Sequence, residues 1–158
     1  TPMLWDRGSH EIALCLDLMG EKPKKVSARK SDVREIAEGT GETIILQLTF
    51  SDGVTADIEI SNLLEAKKRF FAVHHDRETL IFDDIGDDTL VREPRPDDAR
   101  CNPERAEVID VPTRLPLDQV LFDFKAAIGK GERDIAGLEL GVDVVDVLSR
   151  CQNGQKID

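Results

Sequence analysis

The stretch ETIILQLTFSDGVTADIEI, residues 42–60, indicates the fold class of this chain. Apolar and polar residues alternate on both sides of a Ser-Asp-Gly segment, which is typical of strands with one covered face. The Asp52-Gly53 pair suits a tight turn because both residue types tolerate a positive φ. The stretch therefore predicts an antiparallel hairpin. Its inward residues are predicted to be Ile44, Leu46, Leu48, Phe50, Val54, Ala56, Ile58 and Ile60.

Further strands are predicted around this hairpin. Their segments are 24–30, 68–76, 78–84, 89–94 and 107–112. Because the strands cluster rather than alternate with helices, we expect an α+β fold, with an open, predominantly antiparallel β-sheet and helices packed on one face. The length of 158 residues suits a single domain over residues 1–158. The polar, proline-containing segment 94–108 is predicted to be an exposed loop.

Three helices are predicted from apolar residues spaced three and four positions apart. The first begins near Asp6 and ends at Gly20. The second starts at Pro116 and ends at Gly129, and the third is capped by Asp134. The predicted inward residues of the second and third helices are Leu117, Val120, Leu121, Phe124 and Ile128, then Leu138, Val142, Val145 and Leu148.

The charge balance argues against a nucleic-acid partner. The chain has 21 Lys and Arg against 32 Asp and Glu, a formal net charge of -11, whereas binding to a phosphate backbone needs clustered cations. No apolar segment approaches the roughly 20 residues that span a bilayer, so no membrane partner is expected. The one basic cluster is short and consists of Lys22, Lys24, Lys25, Arg29 and Lys30.

The cysteines and the absence of a recognisable signal peptide predict a cytoplasmic location. Cys15, Cys101 and Cys151 are odd in number and far apart, which fits a reducing compartment and excludes a CxxC metal or redox motif. Cys15 and Cys151 fall within apolar helical patterns, so both are predicted to be buried, inert thiols.

Asp6 and His10 are the candidate catalytic residues, because they lie four positions apart at the start of an apolar helix. That spacing places both side chains on one helix face, where a carboxylate orients an imidazole and favours its charged form. The positive helix N-terminus has the opposite effect, so the pair can supply a base near neutral pH. The alternative is structural, with Asp6 as the helix cap and His10 as a surface or packed histidine.

No other residues in the sequence form a recognisable site. His74 and His75 sit at a strand end, where neighbouring side chains point to opposite faces and cannot easily bind one metal ion. The paired aspartates do not match the spacing of a calcium loop and are expected in solvated turns. No phosphate loop, GxSxG or HExxH motif is present. No metal site is therefore predicted.

Two segments of the chain resemble the Gfo/Idh/MocA oxidoreductases, the glucose-fructose oxidoreductase and inositol dehydrogenase group. Residues 5–28, WDRGSHEIALCLDLMGEKPKKVSA, resemble the start of the substrate-side domain, with the D-x-G-x-H motif at Asp6, Gly8 and His10. Residues 117–157 resemble the closing helices and the Gly-x-x-Ile tail. The chain departs from the family at Ala13, where many members carry an aspartate.

The resemblance implies an enzyme larger than this chain. Family members place a Rossmann domain, which holds NAD or NADP and a catalytic Glu-Lys-Pro, before an open antiparallel sheet domain. That N-terminal domain is absent here, so no cofactor-binding residues and no bound cofactor are expected in this fragment. Glu21-Lys22-Pro23 falls at a different place, the turn between helix and strand, and does not take that catalytic role.

The function implied by the resemblance is the substrate-binding and oligomerisation half of an NAD(P)-dependent oxidoreductase. Its substrate is expected to be a sugar or nucleotide-sugar hydroxyl or ketone. By motif match, His10 is the proton acceptor or donor and Asp6 assists it. Activity is expected of the full-length dehydrogenase and not of this fragment alone, and a homodimer or homotetramer is expected to form through the sheet face.

Two alternatives stay open on sequence alone. If Thr1 lies close to the natural start, the chain is a non-catalytic, stand-alone sheet domain for ligand binding or self-association. A small lyase or hydrolase that uses Asp6 and His10 without nicotinamide also fits the pair, although no activated nucleophile or oxyanion site accompanies it.

Overall fold

The elements of the chain fall into two compact units, one formed by residues 1–64 and 129–158 and the other by residues 65–128. The computed structural model describes residues 2–37, 39–66, 68–94, 106–111, 116–131 and 135–154. Three predictions lie outside the described residues: the greater part of the 94–108 loop with Cys101, the Asp134 cap, and Ile157 of the tail.

The predicted hairpin forms the centre of the first unit. Strands β1 (Lys25–Ile36), β2 (Gly39–Thr49) and β3 (Thr55–Ser61) make an antiparallel sheet in that order. On the central strand, Leu46 lies opposite Ala28 of β1 and Ile58 of β3. The turn before β3 is a short 3-10 helix in which Asp52 and Gly53 have φ values of 57° and 79°. The Asp-Gly turn prediction is therefore confirmed.

Strand β1 continues six residues beyond the predicted segment 24–30. Its register with β2 shifts between Lys30 and Asp32, and the pairing then runs on to Ile36 opposite Gly39. Residues 31–35 are exposed and charged or polar, apart from Val33. Neither face of the strand is covered there, so the residues do not alternate between apolar and polar. A prediction that depends on this alternation therefore misses the second half of β1.

Helices α1 (Met3–Met19) and α3 (Ile135–Gly154) cover one face of this sheet. They pack against each other, and α1 also contacts β3 while α3 contacts β1. Because all of the core residues lie in this unit, it supplies the hydrophobic stabilisation of the described chain. The buried apolar residues are Leu4, Ile12, Cys15, Leu16, Ala28, Ile44, Leu46, Leu48, Phe50, Ile58, Ile60, Val144, Val147, Leu148 and Cys151.

Two helix boundaries differ from the predictions. Helix α1 begins at Met3, three residues before Asp6, because Pro2 occupies the cap position. Helix α2 (Pro116–Lys130) begins at the predicted proline but passes Gly129, and Gly131 follows it with a φ of 68°. The end of α1 is confirmed, since the N–H of Gly20, in the left-handed conformation, donates to Leu16 O.

The predicted inward stripe of α3 is wrong for three of its four residues. Leu138, Val142 and Val145 are exposed, and only Leu148 is buried. The buried stripe lies on another side of the helix and consists of Val144, Val147, Leu148 and Cys151. The predicted stripe of α2 is likewise more than half exposed, at Leu117, Val120, Leu121, Phe124 and Ile128.

The second unit contains a four-stranded antiparallel sheet, and none of its described residues is fully buried. Both faces of this sheet carry apolar rows. Phe71, Phe82 and Leu90 are paired across one face, and Ala72, Ile81, Val91 and Val108 across the other. The strands, in order, are β4 (Phe70–His74), β5 (Glu78–Asp83), β6 (Leu90–Pro94) and β7 (Glu107–Val108).

The α+β fold class with open antiparallel sheets is therefore confirmed, although the strands form two sheets. The final strand is two residues long rather than the predicted six. Within the described residues, no helix combines the length and the hydrophobicity that crossing a membrane requires.

Candidate functional site

Helix α1 presents Asp6 and His10 on its exposed side. The opposite side is buried and contains Leu4, Gly8 and Ile12. Successive helical residues are rotated by about 100°, so residues two positions before and after Gly8 point away from the core. The motif therefore combines a buried glycine with two outward titratable side chains on the same helix face.

The glycine of the motif has a packing role. A Cβ atom at Gly8 would lie 3.3 Å from Leu4 Cδ1, 3.5 Å from Ile60 Cδ1 and 3.7 Å from Leu148 Cδ2. These side chains belong to α1, β3 and α3, so Gly8 marks the point where the helix meets both of its neighbours. The close approach fixes the rotation of α1 and hence the direction in which Asp6 and His10 point.

The start of α1 is also anchored to the end of the chain. Trp5 Nε1 donates a 2.7 Å hydrogen bond to Gln152 Oε1 in α3. Pro2 O accepts from the backbone N–H groups of Trp5 and Asp6, at 3.0 and 3.2 Å. The helix segment that carries the candidate pair is thus held at the sheet by packing and at its first turn by hydrogen bonds.

The structural alternative for Asp6 and His10 is wrong in its helix cap, whereas the exposure of His10 agrees with a surface histidine. Asp6 lies in the first turn of the helix and not at the cap position. A carboxylate in the first turn still interacts favourably with the helix N-terminus. His10 is exposed rather than packed in the core. Among the described residues, no hydrogen bond or ion pair joins Asp6 to His10.

The Glu21-Lys22-Pro23 segment is a structural turn, as interpreted from the sequence. The Glu21 carboxylate accepts hydrogen bonds from the Ser51 hydroxyl at 2.7 Å and the Ser51 backbone N–H at 2.8 Å. These bonds, the hydroxyl first, lower the pKa of the Glu21 carboxyl. Lys22 pairs with Asp143 at 3.1 Å, and Pro23 is buried. Each side chain therefore ties this turn to a neighbouring element.

His74 and Asp83, two of the remaining candidates, have local partners in the described part of the chain. His74 Nδ1 lies 3.0 Å from Thr79 Oγ1 on the next strand. Asp83 Oδ1 accepts from the backbone N–H groups of Ile85 and Gly86, so this acidic doublet stabilises a turn. Within the described residues, no three His, Cys, Asp or Glu side chains are grouped to hold a metal ion.

The two described cysteines are buried, as predicted. Burial raises the pKa of the Cys15 thiol to about 11, with a smaller contribution from Glu11. Burial also raises the pKa of the Cys151 thiol to about 11, against an opposing effect of Arg150. A thiol with so high a pKa carries little thiolate at neutral pH and is a poor nucleophile.

Arg150 is a candidate binding residue that the sequence did not reveal. Its Nη1 and Nη2 atoms donate to the carbonyl oxygens of Pro23 and Lys24, at 3.1 and 3.2 Å. The partners are more than 120 residues away in sequence, so no local pattern reveals the contact. The one signal in the sequence is that Arg150 is the single basic residue of the described helix α3.

Comparison with known proteins identifies the domain type. The profile of the GFO/IDH/MocA C-terminal domain matches residues 2–81, just over half of the chain. That match includes α1, the first sheet, β4 and the first four residues of β5. A comparison with curated protein sequences found no match.

Solved structures agree with this match. A protein assigned as an oxidoreductase from Magnetospirillum magnetotacticum MS-1 is 34% identical, with a TM-score of 0.83, over 96% of this chain and 48% of that one. UDP-N-acetylglucosamine 3-dehydrogenase from Acidithiobacillus ferrooxidans is 21% identical, with a TM-score of 0.76, over 97% and 47%. A variant of a 3-ketoreductase from Actinomadura kijaniata, in complex with TDP-benzene and NADP, is 17% identical, with a TM-score of 0.72, over 98% and 48%.

The last two structures, at under 25% identity, support the fold alone. The chain spans about half the length of each of these proteins. The profile match itself covers residues 2–81. The chain belongs to the Gfo/Idh/MocA family of oxidoreductases and corresponds to its C-terminal domain.

Proposed function

We propose that this chain is the substrate-binding and oligomerisation half of an NAD(P)-dependent oxidoreductase that acts on a sugar or nucleotide-sugar hydroxyl or ketone. Family membership supports the reaction class. The names of two structural neighbours, a UDP-N-acetylglucosamine 3-dehydrogenase and a 3-ketoreductase, support the substrate class. In this proposal His10 is the proton acceptor or donor and Asp6 assists it.

The observation that carries the proposal is the exposure of the Asp6–His10 pair on a helix face that nothing else in the first unit requires. Gly8 and its neighbours bury the other side of α1, so the pair is not needed for packing. Asp6 does not cap the helix, and His10 makes no core contact. Two titratable groups on one exposed face of a helix whose backbone is anchored are suited to proton transfer with a substrate.

The chemistry of the pair follows from ordinary acid–base behaviour. A neutral imidazole accepts the proton of a substrate hydroxyl as the carbon–oxygen bond gains carbonyl character, and returns it in the reverse direction. In this proposal the Asp6 carboxylate, four residues away on the same helix face, assists His10. When bound, a nicotinamide supplies the hydride acceptor for the same carbon.

The described residues do not form a dinucleotide cradle. No strand of the first unit runs through a glycine-rich turn into a helix, which is the arrangement that holds a pyrophosphate. The NADP of the 3-ketoreductase complex belongs to a protein twice as long as this chain. We therefore propose that cofactor binding belongs to a domain outside residues 1–158, and that the pair acts on the substrate alone.

The test is His10→Ala in the protein joined to its cofactor-binding half. We expect turnover to fall by about 10²–10⁴-fold, the range for losing a general base, while the nicotinamide dissociation constant stays unchanged. Asp17→Asn, an exposed carboxylate further along the same helix, is the matched control and should keep full turnover. Unchanged turnover of the His10 variant would remove this residue from the mechanism.

We also propose that the protein forms a homodimer or homotetramer through a sheet face. The second sheet supports this, because it carries apolar rows on both faces and yet none of its described residues is fully buried. Large exposed apolar patches are typical of association surfaces. Light scattering during size-exclusion chromatography tests the point, and a monomer at high micromolar concentration would contradict it.

The same sheet supports a second candidate function, a non-catalytic module for ligand binding or self-association. The two candidates differ in one observable. An oligomer that shows no oxidoreductase activity even when joined to the cofactor-binding half would favour the module. For location, we propose the cytoplasm, supported by the buried, free thiols of Cys15 and Cys151.

A further inference from the structure

An open groove lies where β1 begins, at the edge of the first sheet. It has a volume of about 520 Å³, within the range of small-molecule sites. Three cationic side chains line it: Lys24, Lys25 and Arg150. Two come from the start of β1 and one comes from α3, so the fold gathers them although the arginine is 125 residues away in sequence. The concentration of positive charge contrasts with the net charge of -11 of the whole chain.

The structure divides the basic cluster of the sequence into paired and unpaired lysines. Lys22 forms an ion pair with Asp143, and Lys30 forms one with Glu42. In the described part of the chain, no carboxylate lies within ion-pair distance of Lys24 or Lys25. The two lysines that face the groove are thus the ones with capacity for an external anion.

Arg150 is held in place rather than free to swing. Its Nη1 and Nη2 atoms donate to Pro23 O and Lys24 O, and Asp146 Oδ2 lies 3.8 Å from Nη1. A guanidinium carries five N–H donors, so donors remain after these contacts. A fixed arginine with spare donors is well suited to binding an oxyanion.

Neutral donors complete the groove on the strand side. Lys25 lies opposite Thr49 in the pairing of β1 with β2, and Ser27 lies opposite Gln47. The four side chains are therefore neighbours on one face of the sheet. No described partner engages the hydroxyl of Ser27 or Thr49. Hydroxyl donors beside cations are the usual composition of a phosphate site.

The acidic residues near the groove already have partners. Glu21 is bound by Ser51, and Asp57 accepts from Gln47 Nε2 at 2.9 Å. Asp146 lies beside Arg150. The Glu21 carboxylate also interacts electrostatically with Lys24, which helps to lower the pKa of Glu21. In the described part of the chain, these carboxylates form no ion pair with Lys24 or Lys25, so both ammonium groups keep capacity for an incoming anion.

We propose that this groove binds a phosphate group carried by a small molecule. Lys24, Lys25 and Arg150 supply the charge, and Ser27 and Thr49 supply hydrogen bonds. The site is distinct from the candidate catalytic pair, because His10 lies ten residues before Gly20, about 15 Å along the helix axis, and the groove is lined by residues that follow Gly20. The proposal goes beyond the oxidoreductase assignment and does not depend on it.

The test is a titration of the ¹⁵N-labelled protein with inorganic phosphate, pyrophosphate and uridine diphosphate at constant ionic strength. We expect saturable shifts of the amides at residues 24–27 and 47–49, and none at His10. Tighter binding of uridine diphosphate than of pyrophosphate would indicate a nucleotide as the source of the phosphate. Equal binding would indicate recognition of the phosphate alone.

Two charge-matched variants locate the site. Lys24→Ala/Lys25→Ala should weaken binding at least tenfold. Lys22→Ala/Lys125→Ala removes the same charge outside the groove and should leave binding within twofold. The proposal is overturned if the two variants bind phosphate with equal affinity, or if the amide shifts of the unmodified protein lie outside residues 24–27 and 47–49. It is also overturned if sodium chloride weakens the binding as strongly as it weakens any attraction between exposed charges.

Discussion

Glu21 shows how a single side chain can hold two turns together. Its carboxylate receives both the hydroxyl and the backbone N–H of Ser51, 30 residues further along the chain. The first turn connects α1 to β1, and the second connects β2 to β3. Hydrogen bonds to a charged acceptor are stronger than neutral ones, so this contact helps to fix the position of the helix relative to the hairpin.

Replacing Glu21 by Gln should lower the melting temperature at neutral pH. The bound carboxyl has a pKa below its ordinary value of 4.5, so its contribution is fully present above the unfolded-state pKa. That contribution is lost as the pH falls through the lowered folded-state pKa. Thermal melts of both proteins should therefore converge at acid pH. A difference in melting temperature that is independent of pH would contradict this account of the contact.

The buried thiols should react slowly. With a pKa of about 11 for both Cys15 and Cys151, against 9.0 for an ordinary thiol, the thiolate fraction near pH 8 is about 100-fold lower than in the unfolded chain. A thiol reagent applied to a Cys101→Ser variant should show this ratio between the native and denatured rates. Stability should also fall as the pH rises from 9 to 11, since the unfolded thiols ionise first. Native rates equal to denatured ones would show that the thiols are accessible.

Helix α1 is placed by its glycine rather than by its charged residues. Gly8 allows the helix to approach Ile60 of β3 and Leu148 of α3. A larger side chain at this position must displace one or both of these core residues. The same approach fixes the exposed face of the helix, so packing and the orientation of the Asp6–His10 pair are linked.

Gly8→Val should destabilise the protein by about 1–3 kcal/mol, the usual cost of overpacking a core. Gly129→Val is the matched control, because nothing lies within 4 Å of a Cβ atom in α2 at that position. The control should be neutral or slightly stabilising, since valine has a higher helix propensity than glycine. Urea unfolding measures both changes, and equal effects of the two substitutions would refute the packing role of Gly8.

The hairpin at residues 42–60 could be predicted from sequence because its signal is local. Alternation and an Asp-Gly turn lie within 19 consecutive residues. Helix α3 is different, because Val142, Val144 and Val145 make it apolar on more than one side. Which side is buried depends on α1 and β1, more than 100 residues earlier in the chain. For the same reason the contacts of Arg150 could not be predicted, whereas the proposal of Asp6 and His10 as site residues rests on a local motif.

The hydrophobic core of the described chain belongs entirely to the first unit. All of its fully buried apolar residues lie in α1, the first sheet with its 3-10 turn, and α3. The second unit has backbone pairing across four strands but no fully buried side chain in its described part. A sheet with apolar faces needs a covering surface for stability, so the two units should differ in local stability.

Amide hydrogen exchange should reveal this difference. At low protein concentration, the amides of β2 should be protected far more than those of β5, because resistance to local opening follows burial. If the second sheet associates as proposed, the protection of β5 should rise with protein concentration while that of β2 stays constant. Equal protection of the two sheets in dilute protein would contradict the expected difference.

The hydrogen bond between Trp5 and Gln152 has a consequence for synthesis on the ribosome. It joins residues 147 positions apart, and the inner face of α1 is completed by Leu148 of the same terminal helix. The first helix therefore emerges long before the helix that covers it. Until α3 leaves the exit tunnel, Leu4, Ile12 and Leu16 remain available to chaperones and to neighbouring nascent chains. Folding of the first unit is thus completed only after α3 has been translated.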